Sequence, residues 1–167
     1  MSFQASAEEI KRAKHLHSVL LFDFIVVHIF VFLIAISVIK TTLIPLILMP
    51  LLSIASLGYV QYKAQRARTQ EPSWFVRSHC LLAAKRARLF LALFIVTGTF
   101  TAILFFGGTK MGFSPIATMA LAFGLGQLPF MLAMLILVVL EFDAEHQCSS
   151  SKVPAAAAVL CPPPKEE

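Results

Sequence analysis

His28, Ser53, Thr97, Thr99 and Gln127 are polar side chains set near the middle of long apolar stretches. An ionisable or hydrogen-bonding group in such a stretch marks either chemistry or helix recognition, because hydrocarbon offers it no partner. If these faces turn inward, the five side chains form one polar layer, with His28 paired to Gln127. Two roles are open to that layer. One is interhelical hydrogen bonding, worth about 0.6–2 kcal/mol per contact. The other is passage of a proton or recognition of a transported substrate. Axial haem ligation through two histidines needs a second histidine at that depth. His15, His17 and His79 lie outside the apolar stretches, so no cofactor is expected.

Asp23 lies about one and a half turns into the first stretch. Its expected partner is Arg86 or Arg88, at the entrance of the third stretch, in an ion pair that sets helix register. On an α-helix, Asp23 and His28 are roughly 140° apart, so they are not expected to share one relay. His15 and His17 are two residues apart and splay on a helix, which disfavours an interfacial metal set with His79. Cys80, Cys148 and Cys161 form no CxxC pair, and their odd number and wide spacing fit neither a disulfide framework nor a zinc site. No GxxxxGK[ST], GxSxG or HExxH occurs. Gly124-Leu125-Gly126 has no strand before it and is not a dinucleotide fingerprint. With no catalytic constellation, a non-enzymatic role is expected.

The elements that must position these groups follow from composition. Of the 167 residues, 58% are hydrophobic and 14% charged, whereas a soluble domain averages about 45–50% and roughly 25%. The charges are also segregated. Apolar runs cover about 18–39, 43–62, 89–106 and 114–140, each at least about 17 residues long, the minimum for a helix that crosses the hydrocarbon core of a bilayer. The first run is too long for a signal-peptide core and ends in no A-x-A site, so it is expected to stay in the mature chain. The pattern predicts an all-α membrane protein, a four-transmembrane-helix bundle of two hairpins. Residues 1–17 form an N-terminal segment, 18–62 the first hairpin, 63–88 a basic loop and 89–140 the second hairpin. Within the loop, Ser73 to Arg88 reads as a helix at the membrane interface that bends into the third span. Residues 141–167 are acidic, then Ser-, Ala- and Pro-rich, and are expected to be disordered.

Bases flank the spans unevenly. Lys11, Arg12 and Lys14 precede the first, and Lys63, Arg66, Arg68, Arg77, Lys85, Arg86 and Arg88 lie between the second and third. The two opposite turns hold only Lys40 and Lys110. Positive residues favour the cytoplasmic side, which places both termini and the loop in the cytoplasm, in a bacterial inner membrane. The net charge of +5 sits beside apolar runs, so Lys63, Arg66, Arg68, Arg77 and Lys85 are expected to face anionic lipid headgroups or a protein partner rather than nucleic acid. Gly98-x-x-x-Ala102, Ala120-x-x-x-Gly124 and Ala122-x-x-x-Gly126 are candidate close-packing sites, within the chain or with another subunit. The expected role is a non-enzymatic subunit or accessory protein of a larger membrane assembly. The competing expectation is a small oligomeric transporter or channel built on the midplane layer.

Overall fold

The structure, a computed structural model, describes residues 4–38 and 41–164, so the expected loop residue Lys40 lies outside the described residues. Every long element is a helix. α1 is Ala7–Leu21. The chain runs on through a π-helical segment, Phe22–Val31, into α2, Phe32–Val38. α3 is Ile44–Gln70, α4 is Trp74–Lys110 and α5 is Pro115–Leu121. A second π-helical segment, Ala122–Gln127, leads into α6, Leu128–Ser149, and α7 is Ala155–Leu160. Four continuous helices are long and apolar enough to cross a membrane: Ala7–Val38, Ile44–Gln70, Trp74–Lys110 and Pro115–Ser149.

Local chemistry fixes the helix starts. Ser6 and Glu9 form a capping box, with the Ser6 hydroxyl accepting from the Glu9 N–H and the Glu9 carboxylate accepting from the Ser6 N–H. Each such cap satisfies donors that the first turn leaves open. Ile44–Gln70 and Pro115–Leu121 open on prolines in the first turn, where a missing N–H costs nothing. Gly112, at φ +75°, makes the turn between α4 and α5. That conformation is open to glycine at no steric cost.

The helices carry apolar residues outward as well as inward. Ile44, Leu51 and Ile54 of α3 are 69%, 58% and 62% exposed. A water-soluble monomer rarely shows such continuous apolar surface, whereas lipid is a neutral solvent for it.

The chain divides into two compact units, Met1–Ala87 with Val138–Glu167, and Arg88–Leu137. In the first, α1 packs antiparallel to α3. His15 meets Tyr59 at one level and Asp23 meets Ser53 at another. Gln61 of α3 donates to the Ala84 carbonyl of α4, and Cys148 of α6 to the Ile10 carbonyl of α1. Leu16, Leu20, Phe24, Leu57, Val60, Phe75 and Leu82 fill its core.

The stretch expected as an interfacial helix bending into the third span runs into that span as one helix, Trp74–Lys110, about 55 Å long at 1.5 Å per residue. One expectation changes here. The stretch expected to be disordered is ordered through residue 164. Residues 141–149 complete α6, and the following turn and α7 dock on the start of α4. The Trp74 indole donates to the Cys161 carbonyl, and Val153 and Ala157 are buried. Small, entropically cheap residues cannot build a core of their own, but they add to an existing one at little ordering cost.

Candidate functional site

Three polar centres are built into the helices. The first surrounds Asp23, in the first π-helical segment. A π-helix closes i→i+5 hydrogen bonds, so residues five apart come onto one face. Asp23 and His28 therefore meet, contrary to the 140° separation expected of an α-helix. His28 Nδ1 lies 3.1 Å from the Asp23 carbonyl and 3.7 Å from its carboxylate. From α3, the Ser56 hydroxyl donates to Asp23 Oδ1 at 2.7 Å and the Ser53 hydroxyl to Oδ2 at 3.1 Å. Asp23 is 0% exposed, and His28 and Ser53 are each 2% exposed. The carboxylate thus replaces its lost hydration with hydroxyl donors and an imidazole.

The second centre lies nearer the basic end of the same unit. Glu141 of α6 is 0% exposed and accepts from Arg86 of α4 at 3.2 Å. The same Arg86 nitrogen donates to the Leu140 carbonyl at 2.8 Å. The other Glu141 oxygen meets His17 Nδ1 of α1 at 2.5 Å. His17 Nε2 lies 3.2 Å from His79 Nδ1, and His79 Nε2 lies 3.0 Å from the Lys152 carbonyl. The Lys152 carbonyl only accepts, so His79 Nε2 carries a hydrogen and donates to it, and the roles at the two further contacts follow the tautomer of each ring.

The third centre belongs to the unit Arg88–Leu137. Gln127 donates to the Thr101 hydroxyl at 3.1 Å, and the Thr101 and Thr97 hydroxyls donate to carbonyls one turn earlier at 2.7 Å. Thr99 is exposed. A Cβ on Gly126 would lie 2.3 Å from Thr101 Oγ1 and 3.0 Å from Thr101 Cα, whereas Gly98 and Gly124 have open space. Of the small-residue motifs, the one ending at Gly126 marks the close approach.

His28 and Ser53 thus share one centre with Asp23, while Thr97 and Gln127 belong to another with Thr101. Asp23 takes serine hydroxyls and His28 where Arg86 or Arg88 was expected. Arg86 instead serves Glu141, and Arg88 is exposed. Of the basic loop, Lys63, Arg66, Arg68 and Lys85 are exposed and Arg77 is half-buried, donating to Cys161 Sγ at 3.4 Å.

Sequence reasoning passed over Glu141, His17 and His79, and a signal for the first two was present. Buried positions on α6 fall at 130, 134, 137, 141, 144 and 148, an alternation of four and three that carries the inward stripe past the last apolar residue. Along α1 and the π-helical segment after it, the inward stripe includes Ala13, His17, Leu20, Phe24 and Val27. Among the described residues no group of three or more His, Cys, Asp or Glu side chains is arranged to hold a metal ion. No family model, curated protein or solved structure matches the chain.

Proposed function

We propose that the chain is a non-enzymatic subunit or accessory protein of a larger membrane assembly, with both termini and the segment 63–88 on the cytoplasmic side of a bacterial inner membrane. The observation that supports this reading most is the state of the Asp23 centre. A transport path needs a carboxylate that water or substrate reaches, and Asp23 is 0% exposed with its oxygens turned to Ser53 and Ser56. Such closure is what helix–helix glue requires. The orientation rests on the excess of bases at the end carrying Arg12, Arg66 and Arg68.

One observation favours the transporter reading. π-Helical distortions are rare and frequently accompany functional sites, and Phe22–Val31 holds both Asp23 and His28. Purification of the tagged full-length chain in mild detergent separates the two. The accessory reading predicts a particle far above the 18.4 kDa chain mass, with an integral membrane partner at fixed stoichiometry. A homo-oligomer that alone conducts protons in liposomes, and loses that flux on Asp23→Asn, supports the transporter instead.

A further inference from the structure

A cleft of about 600 Å³ opens between α1 and α3 at the basic end of the first unit. This is within the range of small-ligand sites, roughly 300–1,000 Å³. Lys11, Arg12 and His15 line it from α1, Lys63 and Arg66 from α3, and Glu71 from the end of α3. Arg12 and Glu71 neutralise each other at 2.8 Å. Lys11, Lys63 and Arg66 then face the single remaining carboxylate, Glu8, so the cleft keeps a surplus of two cations.

Two tyrosines order this positive wall. Lys63 Nζ lies 5.7 Å from the centre of the Tyr59 ring, and the Arg66 guanidinium 5.9 Å from that of Tyr62. The Tyr59 hydroxyl also bonds His15 at 2.9 Å, tying α3 to α1. The floor is apolar, formed by Leu16, Val76 and Cys80. Just beyond the tyrosines, α3 turns to exposed apolar residues such as Leu52 and Ile54. Positive walls, an apolar floor and an adjoining lipid-facing helix suit a ligand with an anionic head and a hydrocarbon tail.

We propose that this cleft binds the phosphate headgroup of an anionic membrane lipid, with the acyl chains laid along α3. The proposal rests on the lipid-facing assignment of the basic segment above, and it is tested on the isolated chain, so loss of the accessory role would leave it standing. Lys63 and Arg66 supply the charge, and Arg66, planar and multiply donating, suits phosphate geometry.

The test is thermal unfolding of the full-length chain in detergent, delipidated and then titrated with phosphatidylglycerol, phosphatidylcholine or inorganic phosphate. Phosphatidylglycerol at about 100-fold above half-saturation should raise the midpoint by roughly 5–10 °C. Phosphatidylcholine and inorganic phosphate should leave it nearly unchanged. Lys63→Gln combined with Arg66→Gln, both at exposed positions, should abolish the rise, and Lys11→Gln on the opposite wall should weaken it. Arg68→Gln removes a charge from the same helix outside the cleft and should preserve the rise. An equal rise with phosphatidylcholine, an equal rise with inorganic phosphate alone, or an equal loss in Arg68→Gln would overturn the proposal.

Discussion

Glu141 stands between two demands, an arginine on one oxygen and a histidine on the other, and at 0% exposure it has no water to fall back on. A buried pair is weak evidence for net stability, but breaking one by removing a single partner leaves an uncompensated charge and costs about 3–5 kcal/mol. Glu141→Ala should therefore lower unfolding stability in detergent by that amount. Arg86→Met with Glu141→Leu removes both charges at similar volume and should recover most of the loss. The cycle of Arg86→Met, Glu141→Leu and the variant carrying both, in chemical denaturant, should give a coupling of at least about 1 kcal/mol. Additive losses would show that the contact between Arg86 and Glu141 carries no energy. The residue scale was only partly legible. Asp23, His28 and Ser53 stood out because hydrocarbon isolates polar groups. Glu141 and His17 did not, because hydropathy falls at span ends whether a side chain faces in or out, and only the stripe spacing tells the two apart.

Among the elements, span number and type followed directly from composition, because a ~30 Å core demands long apolar helices and gives the chain little choice. The π-helical segments did not. No residue type demands them, and the Asp23–His28 contact depends on one. Close packing was legible as a motif but not in its place. Gly126 faces Thr101 at backbone distance, while Gly98 and Gly124 face open space. Gly126→Ala should thus destabilise the fold by about 1–3 kcal/mol, the usual range for overpacking. Gly98→Ala should be neutral or stabilising, since alanine has the higher helix propensity. Thermal melts of the two variants check this, and equal midpoints would place the helix contact elsewhere. The tail was misjudged because composition describes what a segment does alone. Ending the chain at Ser149 removes the Lys152 and Cys161 carbonyls that accept from His79 and Trp74. The truncated protein should melt several degrees lower. Its fluorescence should shift to the red, a clean signal because Trp74 is the sole tryptophan. An unshifted spectrum at unchanged stability would return the tail to the disordered class.

For the whole molecule, an apolar exterior assigns the chain to a membrane, and the buried carboxylates of Asp23 and Glu141 find their partners among the chain's own side chains. The function proposed for it depends on the Asp23 centre staying closed in the membrane as it is in the structure. Ser53 reports on that closure, since its hydroxyl touches the carboxylate and thiol replacement changes its size little. The decisive measurement is labelling of Ser53→Cys by a small water-soluble thiol reagent in native membranes, read at that site by mass spectrometry. Exposed Arg68→Cys serves as the reactive standard. The account predicts labelling at position 53 at least about 100-fold slower than at position 68, from either side of the membrane, with denatured protein labelling fully. Labelling at a comparable rate in the folded protein would show a water path to Asp23 and contradict the closed, structural role.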